Sequence, residues 1–494
     1  MANLTRATIA LIKGTLSDRR ISYLSSLVNS VSRSLLDKLG DSVSVCDFGA
    51  DPSGSATSTL AFQKALDACS DKTAVELHGR ALRITGGIYN IDAPLVYSWR
   101  NGNLQTDGDT RRLSIIGDGS GCTFINDIRE NPGIVPLITF DGGQTDPFLR
   151  LSISDVRFQR PSYDMKGWGL YFKNVAIMDI RNVDTQWFLN GAVGHDILYA
   201  KFDHCQFGAN DMGIRLARLN WTRPNVVLFS QCMFGGNSSG CVDIVDGANI
   251  KFDTCNFEGT GKSNTDSQRC IQYTGAPEEG GIGLTIVNCY FENNFVYADV
   301  AIESNSTVQG THIIEGNTFQ RTSPTRYCKT HINLSPNNSS GKQRIHLRAN
   351  TYKFLGGYVH NSGDGSVFVQ SDWAEVKEEG NLYRSEQLPV YTGRVVDGYN
   401  NKVVCTAKVS PTPSIVSGYN AASVSRLGTG VYKITFTKPV TSTVLIPTAT
   451  VEGAIGSASI TGYDNTSVTV TVNDNTWTAS NTIAFNLVVT GAYL

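Results

Sequence analysis

The chain has 494 residues, of which 40% are hydrophobic and 17% charged, and its formal charge at neutral pH is −2. That length exceeds one ordinary domain, and the composition is that of a well-packed globular protein. There is no basic footprint for nucleic acid, no apolar run of membrane-spanning length and no charged-then-apolar signal layout at the N-terminus, so the expectation is a protein made in a cytoplasm.

Residues 1–44 read as a leader or neck. Ile21, Leu24, Val28, Val31 and Leu35 form a short heptad stripe after the capping-type residues Ser17 and Asp18, which predicts a helix that lies on the body or joins chains together. Residues 45–70 then read as an extended start, a Gly-rich turn and a helix with Leu60, Ala61, Ala65, Leu66 and Ala68 inward. Such a helix would plug the open end of a stacked structure and cover backbone that could otherwise pair with another chain. Coils are expected from about residue 75, with an irregular early one at 113–125.

Between residues 151 and 352 one pattern recurs eight times: apolar residues at offsets 0 and 2, then at 5 and 7. The rows run from Leu151/Ile153/Val156/Phe158, through Ala200/Phe202/Cys205/Phe207 and Leu284/Ile286/Cys289/Phe291, to Ile345/Leu347/Asn350/Tyr352. Offsets 0 and 2 put two side chains on one face of a strand, and the odd step to offset 5 turns a corner before the next strand. This is a coil of a parallel β-helix, with loops of different length inserted on a constant cylinder. The residue before offset 5 should take a left-handed backbone, which Gly, Asn and Asp tolerate best. Asp155, Asn182, Asn288 and Gly316 fit that demand, whereas His204, Gln231, Thr254 and Ala349 do not. Eleven cysteines, with no CxxC pair, read as reduced thiols. Cys205, Cys232, Cys255 and Cys289 share the offset-5 slot and should stack inside the cylinder as small apolar groups.

The regular stack should end around 355–385, followed by a linker at 386–400. From 401 to 494 charges thin out and alternating Thr/Ser/Val runs appear at 430–437, 443–451, 467–472 and 483–490. These are strands separated by turn residues, and the simplest arrangement is a β-sandwich.

The segment "SVSVCDFGADPSGSATSTLAFQKALDAC" resembles the opening of the pectate-lyase-like superfamily as it occurs in bacteriophage tailspikes and tail-fibre depolymerases. The order of parts, from leader through capping helix and coils to a Thr/Ser-rich sandwich, is similar over nearly the whole chain. The resemblance implies an all-β protein, a right-handed parallel β-helix over 45–385 with a helical leader and a C-terminal sandwich for trimerisation or carbohydrate binding. It also implies a homotrimer on the virion tail, held to the tail or an adaptor through the leader. Its activity would be binding and cleaving bacterial capsule or O-antigen polysaccharide. The family's usual acidic turn is replaced here by "DPSGSATST", so no function is assigned to that turn.

Each coil should add a strand upstream of the repeated pair, marked by Ile214/Leu216, Val242/Ile244, Ile271/Tyr273, Val300/Ile302 and Ile332/Leu334. One outward column then reads Arg215, Asp243, Gln272, Glu303 and Asn333. Asp243 and Glu303, two rungs apart, would have backbones roughly 9–10 Å apart, close to the separation of an inverting glycosidase pair. Arg215 should keep Asp243 ionised, leaving Glu303 as the acid; Asp246 and Arg218 extend the same charges into the adjoining turn. Glu258 and Glu292, each after an offset-7 Phe, form a second-choice pair at the ~5 Å of a retaining enzyme. Sugars stack on aromatic faces, which nominates Trp168, Tyr171, Trp187 and above all Trp221, with Arg223 beside it. The leading expectation is endo-acting glycosidic hydrolysis by the paired carboxylates; the alternative is a polysaccharide lyase, for which Tyr171, Lys173 and His195 supply the base types, with an Arg neutralising a uronate. A glycan-binding adhesin without activity is the reading from another class. The seven histidines show no ligand spacing, so no metal or cofactor is expected.

Overall fold

The computed structural model describes residues 22–23, 33–34, 42–70, 81–98, 112–143, 149–262, 268–274, 282–303, 310–322, 328, 330–334, 343–354, 366–370, 374–384, 402–437, 445–452, 456–474, 476 and 478–491. They fall into two compact units, residues 1–262 and 263–494.

In the first unit, Ser42–Ser44 pairs in parallel with Ala81–Ile84, Ala81–Ile84 with Arg112–Gly117, and Arg112–Gly117 with Leu149–Gln159. The coils therefore begin at residue 42 and not near 75, because the helix Thr59–Ser70 is an insertion within the first coil rather than a cap preceding it. Phe62 and Leu66 of that helix line a small apolar cavity with Leu82, Leu95, Ile115 and Phe158, as a lumen plug should. Leu60 was expected inward but is 67% exposed; Phe62 and Cys69 take the inward positions beside Ala61, Ala65 and Leu66. Ser22–Tyr23 and Arg33–Ser34 pair as a short antiparallel ladder, an extended conformation inside the span where the heptad stripe predicts a helix. The stripe residues themselves lie outside the described residues, as does the 386–400 linker. In the turn before the helix, Asp51 accepts hydrogen bonds from Ser53 N, Ser53 Oγ and Ala56 N at 2.9, 2.6 and 2.8 Å, so its carboxylate organises the "DPSGSATST" loop.

All eight corner residues have left-handed backbones. In the first unit φ is 65° at Asp155, 50° at Asn182, 53° at His204, 53° at Gln231 and 56° at Thr254. In the second it is 56° at Asn288, 68° at Gly316 and 52° at Ala349. The fold thus imposes the kink even on His, Gln, Thr and Ala, where a side chain resists it by roughly 1–2 kcal/mol. Between corners the lumen of the first unit is filled by two aromatic stacks. Phe202, Phe229 and Phe252 lie face to face at 4.8 and 4.7 Å, and Phe207, Phe234 and Phe257 at 5.4 and 4.9 Å. The offset-5 cysteines are buried between them and unbridged. Each thiol donates to a carbonyl of the preceding coil, Cys205 to Ile180, Cys232 to Phe202 and Cys255 to Phe229, at 3.3, 3.3 and 3.4 Å. The third face is a parallel sheet of Leu95–Ser98, Pro136–Asp141, Trp168–Lys173, Asn190–His195, Met212–Ala217 and Gly240–Val245, paired in that order.

The second unit repeats the plan. Its flank strands Arg269–Thr274, Ala298–Ile302, Thr330–Leu334 and Ser366–Gln370 are parallel. In the offset-5 slot asparagine follows Cys289: Asn317, Asn350 and Asn381 Nδ2 donate to the carbonyls of Ile286, Ile314 and Leu347 at 2.9, 2.8 and 3.0 Å. A ninth row, Val376/Glu378/Asn381/Tyr383, is in register with the eighth and turns its corner at Gly380, φ 64°. Glu378 at offset 2 hides it from a search for apolar residues. Residues 402–491 form two four-stranded antiparallel sheets closed over a core that includes Val409, Tyr432, Ile434, Val470, Phe485 and Leu487. The architecture is a right-handed parallel β-helix with a C-terminal β-sandwich.

Replacing Thr254, the β-branched residue among the left-handed corners, by Gly should stabilise the protein by about 1 kcal/mol. Urea unfolding of Thr254→Gly beside the parent checks this, and an unchanged or lower midpoint contradicts the strain assigned to that corner.

Candidate functional site

In the first unit the flank sheet turns alternate residues outward, and its register aligns them across strands. One row runs Thr139, Tyr171, Val193, Arg215, Asp243; the next, two residues on, runs Asp141, Lys173, His195, Ala217, Val245. The pairing of Arg215 with Asp243 expected from the alternation is present, with Nε 3.1 Å from Oδ2. Tyr171 and His195 share a hydrogen bond of 2.9 Å between the phenol oxygen and Nδ1. Lys173 is bound to Asp141 at 3.0 Å. Five titratable types therefore lie in two adjacent rows of one face, which makes it the candidate for a chemical site.

Their protonation follows from burial. Desolvation pushes the Tyr171 phenol up to about 12, with Asp141 and Asp196 adding to it, so the hydroxyl keeps its proton. Desolvation pulls His195 below its ordinary value, Asp196 opposing and Arg215 assisting, so the imidazole is neutral at neutral pH. At Asp243 burial and the neighbouring arginine act in opposite directions. Desolvation raises its carboxyl despite the lowering influence of Arg215, because Arg215 is 52% exposed and its charge is partly spent on water, whereas the Asp243 side chain is only 14% exposed. The Asp243 carboxyl thus keeps its proton to a higher pH than an ordinary aspartate does.

The loop that carries Trp221 is tied down by Asp196. This fully buried corner residue, φ 53°, accepts from Leu219 N at 2.9 Å, Asn220 N at 3.0 Å and Thr222 N at 3.3 Å. Trp221 is left 55% exposed, as a stacking platform requires. Asp246 is the equivalent corner of a later coil, φ 57°, with Arg218 and Arg223 at 3.9 and 3.7 Å. Trp168 packs edge-on against Tyr171 at 5.7 Å, and Trp187 lies 4.7 Å from Tyr163. Sequence reasoning missed Asp141, Asp196 and Tyr163. The signal for Asp196 was its place at a corner, where an Asp satisfies both the backbone and nearby amides.

The second unit carries the other predicted acids. Ala301, not Glu303, stands in register between Gln272 and Asn333. Glu303 lies two residues past it, beyond the strand end, on the same side of the chain. Its carboxylate accepts from Arg269 Nε at 2.8 Å, Gln272 Nε2 at 3.2 Å and Asn333 Nδ2 at 3.1 Å. Of the second-choice acids, Glu258 in the first unit accepts from Asn256 at 3.4 Å. Glu292 in the second accepts from Tyr290 and Thr322 hydroxyls at 2.8 and 2.9 Å, an arrangement that braces a strand end. Among the described residues one group brings three metal-ligating atoms together: Asp299, Cys328 and His331 of the second unit.

Two outcomes follow. Asp196→Ala should release the 219–222 amides, so that their hydrogen exchange accelerates by an order of magnitude or more while exchange in the lumen strands is unchanged. Asp243→Asn removes a carboxylate that costs stability when ionised in its buried setting, and Arg215, itself half exposed, loses little with its partner. The folded carboxyl binds its proton at higher pH than the unfolded one, ordinary value 3.8, so the parent gains stability as pH falls through the window between the two values. The variant should therefore be the more stable protein at neutral pH, by an advantage that shrinks on acidification through that window; thermal unfolding across pH measures it.

No protein-family model matches the sequence, and no curated protein matches it. Among solved structures the chain is similar to a tailspike of an Acinetobacter phage, with TM-score 0.51 and 13% identity over 72% of this chain and 62% of that one. It is similar to PfbA, a surface adhesin of Streptococcus pneumoniae, with TM-score 0.50 and 11% identity over 80% and 97%. A third likeness is to the Dettilon tailspike protein, with TM-score 0.44 and 12% identity over 93% and 96%. At these identities the likeness is one of fold, the parallel β-helix.

Proposed function

We propose that the protein is a phage tailspike that binds bacterial surface polysaccharide, capsule or O-antigen, and cleaves it on the flank sheet of the first unit. In this reading it acts as a homotrimer on the virion tail, joined to the tail or an adaptor through residues 1–44. The observation that carries the reading is the Tyr171–His195 couple set on one face with Lys173 and the Arg215–Asp243 pair, beside a tethered loop that exposes Trp221.

These groups fit β-elimination at a uronate. Arg215, half exposed, would meet the sugar carboxylate and lower the acidity barrier at the adjacent carbon. Neutral His195 would take the proton from that carbon while the protonated Tyr171, hydrogen-bonded to it, would hold the imidazole in place and supply a proton toward the departing glycosidic oxygen. The bond from the ring to that oxygen breaks as the carbon–carbon double bond forms. Hydrolysis is the second reading and has its own support: burial raises the Asp243 carboxyl above its ordinary value, the direction a general acid needs. Glu303, its expected partner, belongs to the second unit and is engaged by Arg269, Gln272 and Asn333.

Incubating the protein with purified capsule and O-antigen and following polymer mass tests cleavage; ultraviolet absorbance of the products separates the chemistries, since only elimination makes an unsaturated uronate. Tyr171→Phe and His195→Ala should each lower the rate by about 10²- to 10⁴-fold with binding retained. Asp243→Asn should do so if water is the nucleophile. A glycan bound without any decline in mass identifies an adhesin and ends the enzymatic reading.

A further inference from the structure

The flank of the second unit holds a polar group that the glycan reading does not use. Asp299 and His331 stand opposite each other on the adjacent strands Ala298–Ile302 and Thr330–Leu334, and Cys328 enters three residues before His331. All three are buried, at 2%, 3% and 7% exposure. His331 Nδ1 lies 2.6 Å from Asp299 Oδ2, and Cys328 Sγ lies 3.3 Å from that oxygen and 3.3 Å from that nitrogen. The other carboxylate oxygen, Oδ1, is held by Asn294 Nδ2 at 2.9 Å, which aims Oδ2 at the cluster. His331 also packs against Phe319 at 5.3 Å and Tyr352 at 5.9 Å.

The arrangement of atoms separates two chemistries. A thiol nucleophile activated by a relay needs the imidazole to use both nitrogens, one toward sulfur and the other toward the carboxylate. Here sulfur and carboxylate both face Nδ1, so the three donor atoms form a triangle around one point. That is the layout of ligands to a single cation. Thiolate, imidazole and carboxylate are the donors zinc accepts, with bonds of about 2.3, 2.0 and 2.1 Å, and those lengths need the Nδ1···Oδ2 edge to open by only some tenths of an ångström to about 1 Å. Thiolate and carboxylate together carry two negative charges, which a divalent ion neutralises in a buried setting where unpaired charge is costly. The asparagine bond to Oδ1 is the supporting contact that orients a ligating carboxylate.

We infer that Asp299, Cys328 and His331 form a binding site for one divalent zinc-type ion that pins two neighbouring coils of the second unit together. Binding displaces the thiol proton and moves the imidazole proton to Nε2, so two bonds of the apo cluster, Sγ–H to Oδ2 and Nδ1–H to Oδ2, are exchanged for three to the metal. Three protein donors leave a tetrahedral ion one further position.

The full-length protein, stripped with a chelator, is titrated with Co(II) and with Zn(II). One equivalent per chain, a thiolate-to-cobalt charge-transfer band and a rise in thermal midpoint with Zn(II) are expected. Cys328→Ala and His331→Ala should lose the band and at least tenfold in affinity, while Cys46→Ser/Cys122→Ser, which removes the two exposed thiols, should keep both. Asp299→Asn, which preserves shape and the Asn294 contact surface, guards against loss by misfolding and should weaken Zn(II) binding with the circular dichroism unchanged. Absence of stoichiometric binding by the parent, or equal binding by Cys328→Ala, overturns the site. Polysaccharide cleavage is not read in any of these arms, so failure here leaves the glycan reading standing, and the reverse.

Discussion

The left-handed corner is the constraint on which the coils depend. An extended strand directs offsets 0 and 2 to the lumen, and without a reversal the chain would carry offsets 5 and 7 outward. One residue at positive φ per coil restores the inward direction, and because it recurs at the same step in every row, equivalent side chains stack one rung apart. The phenylalanine stacks, the cysteines that fill the offset-5 slot as far as Cys289 and the asparagines that fill it from Asn317 are all consequences of that repeat. The repeat is strong enough to hold Gln231, Thr254 and Ala349 in a conformation their side chains disfavour. The cost at each corner is small beside the apolar area buried by the lumen side chains of a coil.

The same register builds the outward face. Since the lumen side is locked by packing, a slip of one residue would expose a whole row of apolar side chains, so the outward positions are locked with it. This is how Tyr171, Arg215 and Asp243 come to share a row, and Lys173 and His195 the next, although they lie in four separate segments of sequence. Corners add a second contribution, because an aspartate tolerated at positive φ also has a carboxylate to offer. Asp196 uses it to anchor the loop bearing Trp221, and Asp246 faces two arginines. A residue placed for backbone reasons thereby positions the surface that meets a ligand.

Where sequence reasoning went astray, the failures have a common form. Leu60 fits a helical stripe as well as Phe62 does, and only the direction of the lumen distinguishes them. Glu303 sits two residues beyond the aligned position because the outward position itself is Ala301, a residue that a search for polar side chains passes over. The upward direction of the Asp243 carboxyl depends on how much water reaches it compared with Arg215, which is a property of the assembled face. Cys328 and His331 are three residues apart in sequence, but their third partner comes from the preceding coil, 29 residues before Cys328, and no local spacing reveals it.

The sequence alone determined the coil repeat, the eight corners before offset 5, the thiol slot, the sandwich and the row that holds Arg215 and Asp243, because each of these follows from alternation and turn chemistry acting over a few residues. Tertiary structure alone decided which outward groups meet and in what protonation state, because coils carry loops of unequal length and burial is shared among strands far apart in the chain. The Tyr171–His195 bond, the Asp196 anchor and the Asp299–Cys328–His331 triangle all arise between coils, where distance along the chain says nothing about distance in space.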